Sequence, residues 1–175
     1  MSAQAAVTVN RPVSEVFGYW HDVTNLATFM NHLEDVTVLG GGRSRWTAKA
    51  PAGRVVTWEA EITADVPEEL IAWHSLPGAA VDNTGRVRFR PAPGDRGTEV
   101  HVDLRYRPPG GRLGSVIATL AGENPTQQLR ADLRRFKQVM ETGEVVRSEG
   151  SPEGTKASRQ LRRRPARPQA GSVSS

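Results

Sequence analysis

Residues 55–62 read Val55-Val56-Thr57-Trp58-Glu59-Ala60-Glu61-Ile62. Val56, Trp58, Ala60 and Ile62 fall on every second position, with Glu59 and Glu61 between them. Side chains alternate across a strand, so this run is a β-strand with one apolar and one charged face. Similar runs lie on both sides of it. Upstream, Val36 and Val38 precede the turn Gly40-Gly41-Gly42, and Trp46 and Ala48 precede Pro51-Ala52-Gly53. Downstream, Pro67-Glu68-Glu69 leads into Leu70–Leu76, with Trp73 in its middle. Val87 and Phe89 then alternate with Arg86, Arg88 and Arg90. After the turn Pro91–Gly97, Val100, Val102, Leu104 and Tyr106 alternate with Glu99, His101, Asp103, Arg105 and Arg107. Pro108-Pro109-Gly110-Gly111 ends the series. Consecutive strands joined by short turns predict an antiparallel sheet with one polar face.

The flanks are helical. Ala5–Asn10 reads as a first strand with Val7 and Val9 on one face, ended by Arg11-Pro12. Pro12 suits a first helical turn, and Val13, Val16, Phe17 and Trp20 follow at helical spacing. A second short helix is expected from Thr24 or Asn25, carrying Leu26, Phe29 and Met30. Near the other end, Leu113, Val116, Ile117 and Leu120 form one stripe and Leu129, Leu133, Phe136 and Met140 another. Asn124-Pro125 between them reads as a cap followed by a first-turn proline, so the last helix is either two segments or kinked. The expected fold is α+β: about seven antiparallel strands, two short helices after the first, and a C-terminal helix covering the apolar face.

Composition narrows the classes. A chain of 175 residues suggests one domain. With no cysteine, disulfides, thiolate metal sites and cysteine nucleophiles are excluded. Lys49, Lys137 and Lys156 are the only lysines among 23 basic residues, which suggests a GC-rich bacterial genome. All ten aromatic residues lie between Phe17 and Phe136. Residues 143–175 hold seven basic and three acidic groups, the whole of the net charge of +4. The expectation is a domain over 1–142 and a disordered basic tail over 143–175, too poor in apolar residues to offset its ordering entropy. A balanced domain is no nucleic-acid surface by charge; contact with nucleic acid or an anionic membrane is left to the run Arg159–Arg167. The start lacks a signal-peptide pattern and no stretch has the roughly 18 apolar residues of a spanning helix, so a soluble cytoplasmic protein is expected.

Several stretches, in this order, resemble the START-like (SRPBCC) superfamily, especially its bacterial polyketide cyclase/dehydrase and coenzyme Q-binding branches. They are Val16–Asp22, Phe29–His32, Trp46–Ala48, Trp58–Ile62, Ile71–Ser75, Gly85–Phe89, Gly97–Val100 and Asp132–Lys137. The resemblance covers roughly residues 3 to 142. It implies a helix-grip fold, a curved sheet wrapped round a long helix with a cavity between them. It does not specify a ligand, because members bind lipids, quinones, polyketides and hormones, and some catalyse. The expected partner is a small hydrophobic molecule, and no cofactor is expected.

Trp46, Trp58 and Trp73 sit mid-strand and are candidates for an aromatic cavity wall, with ordinary core packing as the competing reading. Phe29, Phe89, Tyr106 and Ile117 complete the expected ligand-contacting set. Of the histidines His21, His32, His74 and His101, no pair has metal-ligand spacing, and no metal is expected. His32, beside the expected cavity mouth, is the first candidate for a general acid or base, with Tyr106 and Ser75 behind it. A surface or capping role competes for His32. Glu59 and Glu61 point together, away from the apolar face and toward water. The arginine ladder on one strand faces Glu99, His101 and Asp103 on the next, which explains both by charge pairing. The glycine-rich turns lack a phosphate-loop ending, and no Gly-x-Ser-x-Gly elbow occurs. Two readings follow: a binding or carrier module for a quinone, polyketide or lipid, and a polyketide aromatase/cyclase or dehydratase. A third, weaker one is an interaction protein acting through its tail.

Overall fold

The alternating runs form seven strands, which pair into one antiparallel sheet. The computed structural model describes residues 2–107 and 124–143. The strands are β1 (Ser2–Val9), β2 (Leu33–Gly40), β3 (Arg43–Lys49), β4 (Val55–Val66), β5 (Leu70–Ser75), β6 (Asp82–Pro91) and β7 (Thr98–Arg107). Their order across the sheet is β1-β7-β6-β5-β4-β3-β2. β2 to β7 form a meander in which each strand pairs with its sequence neighbour, and β1 closes against β7. Helix α1 (Val13–His21), a 3₁₀ turn (Val23–Thr28) and helix α2 (Pro125–Thr142) complete the described chain. The fold is the expected helix-grip arrangement of an open curved sheet and a C-terminal helix.

Periodicity decides which side chains turn inward. On β6, Asn83, Gly85, Val87 and Phe89 are buried while Arg86, Arg88 and Arg90 are exposed. On β7, Val100, Val102, Leu104 and Tyr106 are buried, and the charged residues between them face out. The outer face then pairs its charges across strands. Arg86 reaches Asp103 at 3.4 Å, Arg90 reaches Glu99 at 3.9 Å, Arg45 reaches Glu59 at 3.3 Å and His74 reaches Glu61 at 2.8 Å. The arginine ladder and the glutamate pair are therefore a solvated, mutually neutralising surface, as expected.

Helix α2 starts where Asn124 caps it: its Oδ1 accepts a bond from Gln127 N at 3.1 Å, ahead of Pro125. It ends at Gly143, whose φ of +74° closes the last turn. The helix lies along β1. Its far end is clasped to the β1–α1 corner: Asn10 N donates to Glu141 Oε2 at 2.8 Å, and Arg11 Nη2 donates to the Glu141 carbonyl. Lys137 Nζ bridges Glu141 at 2.7 Å and the Thr8 carbonyl at 2.8 Å.

Several details differ from expectation. The first strand begins at Ser2, because its inward set extends back through Ala5 to Ala3. The second short helix is a 3₁₀ turn that ends before Phe29, capped by Asp22, whose Oδ1 accepts from Thr24 N. Val38 is not an inward partner of Val36. It is 57% exposed, because β2 is an edge strand whose register shifts at both ends and which runs beyond the core. The stripe Leu113–Leu120, with Ile117, the turn 108–111 and the tail beyond Gly143 lie outside the described residues.

Candidate functional site

The inner face has two zones. In the first, α1, α2 and β6 close on one another through rings. Trp20 packs on Phe29 at 5.0 Å and on Phe136 at 5.2 Å, and Phe29 meets Phe136 at 4.9 Å. Phe89 sits edge-on to Phe17 at 5.4 Å. Tyr19, fully buried beside them, shares its hydroxyl with Thr28 Oγ1 at 2.6 Å, and Thr28 donates to the Asn25 carbonyl. Phe29 and Phe89, two of the expected contact residues, thus have side chains of the protein itself as ring neighbours.

The second zone is the wall of tryptophans and the polar groups beside it. Trp46 and Trp58 are direct cross-strand partners with ring centroids 6.0 Å apart. Trp46 also stacks on Trp73 at 5.9 Å and 29°, across β4, where the small residue Ala60 is turned inward. The three expected wall residues are brought together. Trp46 Nε1 is satisfied by Ser44 Oγ at 2.8 Å. The Trp73 indole lies over Gly85, its register partner, where only a missing side chain leaves room.

Next to this wall, β6 and β7 present Asn83 and Tyr106, which face each other across the ladder. Asn83 is 4% exposed and is held by its backbone N–H, which donates to Ser75 Oγ at 2.9 Å. Ser75, a weak acid/base candidate, is engaged as an acceptor in that bond. Burial first, and then the charge of Asp132, push the Tyr106 phenol well above its ordinary range, so it is a neutral hydroxyl at physiological pH.

Asp132 comes from α2 and is 2% exposed. It accepts from Arg135 and from Asn31 N at 3.3 Å, and Arg135 Nε also donates to the Phe29 carbonyl at 3.0 Å. One turn of α2 thus grips the 29–31 segment through two side chains. Burial pushes the Asp132 carboxyl up to about 6, against the lowering pull of Arg135 and the Asn31 bond. His32 is partly buried, and its Nδ1 is buried with no hydrogen-bond partner. Burial and then the charges of Lys49 and Arg135 pull it down to about 4, so the ring is neutral at pH 7. Tyr106 therefore feels the charge of a buried carboxylate that was not among the expected site residues, and His32 feels that of its partner Arg135. Asp132 falls on the stripe Leu129, Leu133, Phe136, and that position was the available signal.

Among the described residues no group of three His, Asp or Glu side chains forms a metal site, and no helix is long and apolar enough to cross a membrane.

Comparison with known proteins adds to this geometry. The family described as polyketide cyclase/dehydrase and lipid transport matches residues 9–134. A crystallised protein of Deinococcus radiodurans is 48% identical, with 82% of this chain and 99% of that one covered and a TM-score of 0.69. A 17.2 kDa uncharacterised protein of Streptomyces lincolnensis is 26% identical over 144 residues, 79% of this chain and 88% of its own length. The Zhui aromatase/cyclase of Streptomyces sp. R1128 is 21% identical, with 83% and 99% of the two chains covered and a TM-score of 0.56, a likeness of fold.

Proposed function

Because the chain belongs to the polyketide cyclase/dehydrase and lipid-transport family, we propose that it binds and carries a small hydrophobic molecule between the inner sheet face and the C-terminal helix. The observation that carries this reading is the composition of the inner face. Three neighbouring tryptophans supply a broad apolar wall, and Asn83, Tyr106 and Asp132 supply a few fixed polar groups at its border. That mixture is what small-molecule sites present: area for affinity and sparse polar groups for orientation. The ligand class is a polyketide, quinone or lipid. Trp46, Trp58, Trp73 and Tyr106 make the contacts, and the Phe29–His32 segment lines the entrance. Binding rather than turnover is the first role, because Ser75 already serves Asn83 and Tyr106 holds its proton tightly.

A second reading, cyclisation or dehydration of a polyketide-like chain, is favoured by one observation. His32 is a neutral ring at pH 7, able to accept a proton, and Asp132 changes protonation near pH 6, within reach of physiological conditions. In that reading the wall orients the substrate and these groups move protons.

Native mass spectrometry of the full chain from its own host, followed by organic extraction, tests the proposal. A stoichiometric bound quinone, polyketide or lipid is expected. A protein that emerges empty and fails to take up a hydrophobic naphthalenesulfonate probe overturns it. Turnover of the extracted compound, lost in Asp132→Asn with binding retained, would favour the second reading.

A further inference from the structure

The wall contains a donor and an acceptor with nothing to bond. Trp73 Nε1 and Asn83 Oδ1 are both buried and have no hydrogen-bond partner. Their residues are each 4% exposed, on the inner face of adjacent strands. Trp73 pairs with Gly85, so Asn83 stands diagonal to it, one pleat along, at the distance of about 7–8 Å typical of diagonal neighbours. A single small group seated between two such diagonal positions is within reach of both side chains.

Both are held in place. The indole is fixed by its stack on Trp46 and by the space above Gly85, where a Cβ would stand 2.3 Å from the ring. The asparagine is anchored through its backbone by Ser75. Trp46, in the same wall, has its own acceptor in Ser44. Trp20 Nε1 also lacks a conventional partner, but that indole is enclosed by Phe29, Phe89 and Phe136, whose ring faces are weak acceptors. The ring neighbour of Trp73 lies against its face, nearly parallel, and offers nothing to the N–H in the indole plane. Buried polar groups are almost always satisfied, so an adjacent fixed pair without partners marks a place for something else.

We propose that Trp73 and Asn83 form a subsite for a hydroxyl group of the ligand, whose oxygen accepts from Trp73 Nε1–H while its proton goes to Asn83 Oδ1. This rests on the reading that the inner face binds a small molecule, and it narrows the ligand class. A phenol, enol or alcohol satisfies both groups at once. A quinone carbonyl accepts from Trp73 but leaves Asn83 unsatisfied, and a plain acyl chain leaves both. The subsite therefore selects hydroxylated aromatics over quinones and unfunctionalised lipid.

The test is a series of bicyclic probes titrated into the full-length chain and read by calorimetry: 2-naphthol, 2-methoxynaphthalene and naphthalene. The methoxy compound accepts but cannot donate, and naphthalene does neither. Naphthol is expected to bind about tenfold more tightly than the methoxy compound, the worth of one net hydrogen bond. Asn83→Leu, close in shape, is expected to erase that preference. The wild-type comparison stands without any variant, should Asn83→Leu fail to fold. Equal affinity of the three probes for the wild-type protein overturns the subsite and leaves the binding reading intact. Failure of every probe, the naphthalenesulfonate included, overturns the binding reading and the subsite together.

Discussion

The indole of Trp73 occupies the space where Gly85 has no side chain: a Cβ there would stand 2.3, 2.6 and 2.8 Å from three of its ring atoms. Since Trp73 in turn supports Trp46, the glycine sets the shape of the whole wall. Gly85→Ala is expected to displace the ring and to lower stability by about 1–3 kcal/mol, the usual cost of overpacking. Urea denaturation with tryptophan fluorescence checks both parts. An unchanged midpoint and spectrum would mean that the ring has room to spare.

Gly97 is a harsher case. Its φ is +103°, and a Cβ would meet the Val9 carbonyl oxygen at 2.0 Å and Arg11 N at 2.8 Å. These are backbone atoms at the β1–α1 corner, beside the bond from Thr98 Oγ1 to the Arg11 carbonyl. Backbone yields less than a ring does, so Gly97→Ala is expected to cost about 3 kcal/mol or more, exceeding Gly85→Ala. Paired denaturation curves decide the ranking.

Trp46 depends on Ser44 for its one polar bond, and both are buried. Ser44→Ala leaves the indole N–H without an acceptor, an expected loss of about 1–3 kcal/mol. Ser44→Thr keeps the hydroxyl and is expected to recover part of it. Thermal unfolding of the two variants is the measurement; equal losses would assign the effect to packing.

His32 and Asp132 pull the pH dependence of stability in opposite directions. Folded His32 titrates at about 4 against an ordinary 6.5, so between these values the unfolded chain binds more protons and stability rises with pH. Folded Asp132 titrates at about 6 against 3.8, so over that window the folded chain binds more protons and stability falls with rising pH. The two effects nearly cancel in the wild type. Asp132→Asn is expected to show stability climbing between pH 4 and 6.5, and His32→Gln the reverse between pH 4 and 6. Denaturant midpoints across that range provide the check, and three parallel profiles would sink the assignment.

The sheet was legible because its runs alternate strictly, and the charged face confirmed itself by matching arginines to acids on the next strand. The wall followed from the same parity, since Trp46, Trp58 and Trp73 each occupy inward positions. Two site residues escaped. Asn83 shares the inward parity of Val87 and Phe89, but the run loses its apolar signal at Gly85, and a polar residue beyond it reads as turn. Asp132 lies on the apolar stripe of its helix, yet a carboxylate there is worth little attention until the partners that justify its burial are known. Those partners, Asn31 and Arg135, belong to a distant segment and to the next turn of the same helix. Val38 failed for a simpler reason. Alternation says which way a side chain points but not how far the sheet extends beyond what covers it.

The clasp between Glu141, Lys137 and the Thr8–Arg11 corner, together with the pairing of β1 against β7, joins the first strand to the last described helix and strand. On the ribosome β1 emerges first and has no ladder to join until some hundred residues have followed, at about 5–20 residues per second. The meander β2–β7 is able to zip locally in the meantime, hairpin by hairpin. The first strand and last helix then dock in one late, long-range event of the kind that slows folding. Truncation into β1 or into the end of α2 would strike the same closing step.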